Sequence, residues 1–197
     1  MRCLLSILLL SAWGSLRALP ASFGDILFGA TASTAGSEKP WRLSDGLPTS
    51  GLRIDMPPDG TTKTVSDCPP HPDRLATATM TRLLEPVGDD GRERFRLTYT
   101  VTAAADFPKV RLSVTLLASD RFPPCSVRPW GDRLALVADA GDWYIITDRP
   151  EAAFTVSAAE PPRITLTIPR TDLSFHRPAV FSLTVGDGPL PPVPEDD

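Results

Sequence analysis

The chain alternates apolar and polar residues over most of its length, and that period of two sets the expected fold. Phe95, Leu97, Tyr99 and Val101 alternate with Arg94, Arg96, Thr98, Thr100 and Thr102. Val110, Leu112, Val114 and Leu116 alternate with Arg111, Ser113 and Thr115; Ile164, Leu166 and Ile168 with Arg163, Thr165 and Thr167; Phe181, Leu183 and Val185 with Ser182 and Thr184. Successive side chains of a strand point to opposite faces, so each run describes a half-buried antiparallel strand, apolar inward and polar outward. Weaker runs at Leu75–Leu84, Leu134–Ala138, Trp143–Thr147 and Ala153–Ser157 predict further strands. No window holds a helical period, and 22 prolines spread along the chain suppress helix interiors.

Turn chemistry falls between these runs. Asp89-Asp90-Gly91 and Asp139-Ala140-Gly141-Asp142 each predict a hairpin connection. About eight regularly spaced strands predict an all-β fold, an antiparallel β-sandwich of immunoglobulin-like or jelly-roll-like type, with a β-barrel as the alternative. The expected division is a signal peptide over 1–21, a Pro/Gly/Ser-rich extension with short edge strands over 22–70, the sandwich over 71–188, and a disordered, Pro-rich acidic tail over 189–197.

The N-terminus departs from this pattern. Arg2 precedes an apolar run from Cys3 to Trp13, and small residues follow at Gly14, Ala18 and Ala21. Positive end, short apolar run and small-residue exit are the order of a secretory signal, and the run is shorter than the roughly 20 residues of a transmembrane helix. Cleavage after Ala18 or Ala21 leaves a leucine at the −3 position, so neither site is ideal. The expected address is secreted or periplasmic, without stable membrane insertion.

Export changes the reading of the cysteines. Loss of Cys3 leaves Cys68 and Cys125, both beside prolines in expected loops, and an even pair in an oxidising compartment predicts a disulfide. Loss of Arg2 and Arg17 takes 20 basic residues to 18 against 24 acidic ones, a net charge of −6. That balance argues against nucleic acid and anionic membrane surfaces as partners. Asparagine and glutamine are absent and arginine outnumbers lysine 17 to 3. A GC-rich coding sequence accounts for this better than a hot habitat, where lysine is more often enriched.

Candidate chemistry is sparse. His71 sits in a Pro-Pro-His-Pro-Asp loop and His176 follows a strand, neither in a catalytic motif, so both read as ordinary surface or loop residues. The carboxylate pair Asp89-Asp90 reads as a turn, and no calcium-loop, P-loop or dinucleotide motif is present. No cofactor, metal or catalytic residue is expected. The candidate ligand-binding residues are aromatic: Trp130, Trp143 and Tyr144 flank one hairpin. Adjacent strand residues point to opposite faces, so one of Trp143 and Tyr144 is expected to face outward, where a ring can stack on a sugar or anchor a partner. The outward Thr/Ser rows read as a solvated sheet face.

The stretch Arg163-Ile-Thr-Leu-Thr-Ile-Pro-Arg-Thr-Asp-Leu173, with the run ending Val185-Gly-Asp-Gly188, resembles the closing strands of secreted DOMON-like and related carbohydrate-binding β-sandwich modules. The resemblance covers about 25 residues and implies a ligand-binding or cell-surface accessory role. The expected function is an exported, non-catalytic β-sandwich with a binding, adhesion or envelope-structural role. The alternative is a carbohydrate- or small-ligand-binding module, and an exported hydrolase ranks third. The sequence sets no partner; a polysaccharide and another envelope protein are the candidates.

Overall fold

The computed structural model describes residues 27–35, 37–45, 53–58, 60–87, 94–117, 124–157 and 163–194. The expected signal peptide, Cys3, the Asp89-Asp90-Gly91 turn and the Glu195-Asp196-Asp197 end lie outside them.

Thirteen strands and no helix occur among the described residues: β1 Leu27–Ser33, β2 Trp41–Asp45, β3 Arg53–Asp55, β4 Thr62–Asp67, β5 Ala78–Pro86, β6 Arg94–Ala103, β7 Phe107–Leu117, β8 Cys125–Trp130, β9 Arg133–Ala138, β10 Trp143–Thr147, β11 Ala153–Val156, β12 Arg163–Leu173 and β13 Ala179–Asp187. They form a five-stranded sheet in the order β11-β12-β7-β1-β2 and an eight-stranded sheet in the order β3-β4-β5-β6-β13-β10-β9-β8. All neighbours pair antiparallel. Neither sheet closes on itself, so the fold is a β-sandwich and the barrel alternative falls away.

The alternating runs bury the faces that their pattern predicts. Leu97, Tyr99 and Val101 on β6, Leu183 and Val185 on β13, and Ile164, Leu166 and Ile168 on β12 meet in one core between the sheets. Tyr99 and Phe181, direct cross-strand partners, stack with ring centroids 5.0 Å apart and planes 11° apart. The expected extension contributes more than edge strands. Trp41 and Leu43 on β2 are fully buried, while β1 and β4 each lie one strand inside a sheet edge. The 22–70 boundary therefore does not separate an extension from a core.

Where β7 and β12 pair, each strand carries one extra residue. Ile168 faces Leu112, then Thr171 faces Val110, then Leu173 faces Phe107. Lys109 and Arg170 take positive φ values of 55° and 57°, the left-handed conformation that L-residues seldom adopt. Each bulge follows a proline, Pro108 or Pro169, and the Lys109 backbone N–H donates to Asp172 Oδ1 at 3.0 Å. Beyond the bulges the odd-numbered Phe107 and Leu173 point into the core, where Val110 and Ile168 had done so with even numbers.

The expected Cys68–Cys125 disulfide is corrected. Both thiols are free. Cys68 follows β4 and Cys125 begins β8, within a strand rather than a loop, and six strand spacings separate β4 from β8. At about 4.8 Å per spacing that is roughly 29 Å along the sheet, against the 7 Å or less between Cα atoms that a disulfide requires.

Candidate functional site

The outer face of the eight-stranded sheet, away from the smaller sheet, carries an open cleft of about 890 Å³. Its floor follows from strand parity. Arg94 and Arg96 rise from β6, Ser182 and Thr184 from β13, Tyr144 and Ile146 from β10, and Arg133 from the start of β9. Trp130 and the segment Pro189–Pro194 form its wall.

The wall has a local cause. Gly188, with φ of 88°, turns the chain at the end of β13, and its N–H donates to the Asp142 carbonyl at 2.7 Å. The chain then runs back over the sheet. Its prolines at 189, 191, 192 and 194 have no N–H with which to extend a ladder. Side chains and carbonyls hold it instead. Trp130 Nε1–H donates to the Pro191 carbonyl at 2.8 Å, and Leu190 packs with Trp130 against Ala135, Val137, Tyr144 and Ile146. Val193 lies against Gly131, where a Cβ would stand 2.9 Å from its methyl carbon. Residues 189–194 are thus a strap across a second, smaller apolar cluster, where a free tail was expected.

Polar groups line the open part. The Asp148 carboxylate accepts the Ser182 N–H at 2.8 Å while the Asp148 N–H donates to the Ser182 carbonyl at 3.1 Å, which carries the β10–β13 ladder one step further with a side chain in place of backbone. The Arg149 guanidinium donates to the Val180 carbonyl and so latches the same corner. Ser182 Oγ and Thr98 Oγ1 share a hydrogen bond of 3.0 Å. Asp132 stands 3.3 Å from Arg133 Nε, and Glu85 faces Arg96 across the β5–β6 pair.

Two of the three aromatic residues expected to bind a ligand come together here, although neither is free as expected. Trp130 stands in the wall with its N–H committed to the strap. Tyr144 is outward-facing but only 2 % exposed, because the strap covers it. Trp143 points the other way into the inter-sheet core, at 1 % exposure, and does not meet the cleft. Sequence reasoning did not single out Arg94, Arg96, Arg133 or Asp148. The signal for Arg94 and Arg96 was present in their alternation with Phe95 and Leu97. Ser182 and Thr184, read as part of a solvated face, form cleft floor.

The histidines fall elsewhere. His71 is buried rather than a surface residue, stacked on Phe107 at 5.0 Å and edge-on to Trp41 at 5.2 Å. Its Nδ1 accepts the Asp73 N–H at 3.1 Å, which leaves Nε2 to donate to Thr34 Oγ1 at 2.8 Å. Burial holds its pKa below the ordinary 6.5, opposed by the nearby Asp73 charge and helped by Arg74. His176 shares a second, smaller cleft of about 350 Å³ with Asp106, Asp172 and Ser174. There the Ser174 hydroxyl accepts the Arg177 N–H at 3.0 Å and His176 stands edge-on to Phe175. The serine oxygen closes its own turn. Among the described residues no three His, Cys, Asp or Glu side chains gather as a metal site.

No family model matches the chain, and no curated protein does. Among solved structures it is similar to a putative kojibiose phosphorylase from the human microbiome, at 9 % sequence identity and a TM-score of 0.52. The likeness covers 80 % of this chain and 21 % of that protein, so the chain spans about a fifth of its length. At that identity the likeness is one of fold.

Proposed function

We propose that this chain is an exported, non-catalytic β-sandwich module that binds carbohydrate through the strapped cleft on its large sheet. The cleft itself carries the reading: a long open groove on a rigid sheet, lined by hydroxyls, guanidinium groups and the edge of an aromatic wall. Sugars present many hydroxyls and apolar ring faces, and such a lining offers partners for both. The similar solved structure is by its name a phosphorylase of kojibiose, which agrees with a carbohydrate role. The resemblance of the Arg163–Leu173 and Val185–Gly188 sequences to DOMON-like modules supports the same reading.

A binding role is favoured over catalysis by the carboxylates. Of the described cleft-lining residues Asp148 alone is acidic, and its oxygen is engaged by Ser182. Glycoside hydrolysis uses two carboxylates facing each other across the bond to be broken.

The test is retention on a panel of immobilised polysaccharides. At least one should retain the protein, and Thr184→Trp, which fills the cleft from an outward position, should release it with an unchanged unfolding curve. Undiminished retention of Thr184→Trp would place binding elsewhere, and no retention by any glycan would overturn the reading.

A further inference from the structure

The cleft concentrates positive charge on a chain that is acidic overall. The full sequence has 20 basic and 24 acidic residues, a net of −4. Among the described residues the cleft lining has Arg94, Arg96 and Arg133 against one carboxylate, Asp148, which already accepts the Ser182 N–H. The three cations reach the cleft by separate routes. Arg94 and Arg96 lie two residues apart on β6 and so share its outer face. Arg133 begins β9, three strand spacings away in the order β6-β13-β10-β9. Three spacings of about 4.8 Å put the two strands roughly 14 Å apart. Positive groups on opposite sides of a groove suit a ligand with negative groups spaced along its length better than a single small anion. Between them lie the hydroxyls of Ser182 and Thr184.

Resting on the carbohydrate reading, we infer that the cleft selects acidic glycans, chains of sugars bearing carboxylates, with Arg96 and Arg133 as the charged contacts on its two sides. A guanidinium offers a planar fork of N–H donors that matches a carboxylate, which a neutral sugar lacks. Asp132 stands 3.3 Å from Arg133 Nε, but its side chain is itself 70 % exposed, so solvent screens its pull; Glu85 faces Arg96 across the β5–β6 pair. A polyphosphate backbone is a poorer occupant, since beyond the cleft it would meet the acidic excess of the rest of the chain.

The inference is tested by calorimetric titration of the whole protein at low salt with oligogalacturonate, a neutral malto-oligosaccharide of equal length, and a single-stranded DNA oligomer. Oligogalacturonate should bind at least tenfold more tightly than the neutral chain, with the margin shrinking as salt is raised. Arg96→Ala and Arg133→Ala should each reduce the margin severalfold, while Arg42→Ala, on the outer face of the other sheet, should leave it intact. If Arg96→Ala does not fold, Arg96→Gln keeps the stem and reads the same loss. Equal affinity for the two glycans, an unchanged margin in the arginine variants, or tighter binding of DNA overturns the acidic-glycan assignment and leaves the carbohydrate reading to its own test. Absence of binding by both glycans likewise overturns the acidic-glycan assignment, and the polysaccharide panel then decides the carbohydrate reading.

Discussion

Tyr144 packs against Gly186, its cross-strand partner on β13, so closely that a Cβ at position 186 would clash with its Cζ and hydroxyl oxygen. The glycine supplies no side chain of its own and the aromatic ring covers its backbone, which lets Tyr144 lie low enough for the strap to pass above it. Gly186→Ala should therefore cost about 1–3 kcal/mol by forcing the ring from its place. In a Tyr144→Ala background the same substitution should cost much less. Urea unfolding of the four proteins gives the coupling; equal costs in both backgrounds would refute the contact.

The Trp130–Pro191 hydrogen bond and a few apolar contacts hold the strap. Trp130→Phe removes the donor to the Pro191 carbonyl and should lower stability by about 1 kcal/mol. It should also make the chain after Gly188 more sensitive to limited proteolysis. A chain truncated after Gly188 should expose Tyr144 and Ile146 and bind a hydrophobic dye that the intact protein excludes.

His71 makes stability depend on pH in a known direction. Its pKa is lowered in the folded protein, so below about pH 6.5 the unfolded chain takes up a proton that the folded one resists. The contribution is fully present above that pH and is lost as pH falls toward the folded value. Protonation would also oblige Nδ1 to stop accepting the Asp73 N–H. Urea midpoints should fall between pH 7.5 and pH 5.5, and His71→Phe should flatten that part of the profile even if it lowers stability throughout.

The thiols should be inert in the native state. Burial, with the Asp67 charge behind it, pushes the Cys68 thiol up to about 12, and burial with Asp139 pushes Cys125 up to about 11. Alkylation at pH 8 should label Cys68 only once the protein is unfolded. Reductant should leave the melting temperature of the purified protein unchanged; a drop would restore the disulfide.

The fold was legible where inward positions are apolar and opaque where they are not. β6, β7, β12 and β13 announce themselves because Leu97, Leu112, Leu166 and Leu183 each stand between polar neighbours. β4 hides because its inward positions are Thr64 and Ser66 while Val65 faces out; pairing with β5 makes it a strand, and nothing local does. The outward turn of Tyr144 followed from parity alone, but its cover did not, since the strap joins residues 61 positions apart through a carbonyl and an indole. Arg133 joins Arg94 and Arg96 only through the strand order, which alternation does not encode.

The paired bulges at Lys109 and Arg170 act as two phase slips that cancel. Each strand loses step once, so the ladder resumes in time, while both chains emerge turned over by one position. Phe107 reaches His71 only because of that half-turn. Inserting one polar residue beside Lys109 would keep every hydrophobic letter in the sequence and still rotate Phe107 to the solvent side, taking the aromatic seat of His71 with it.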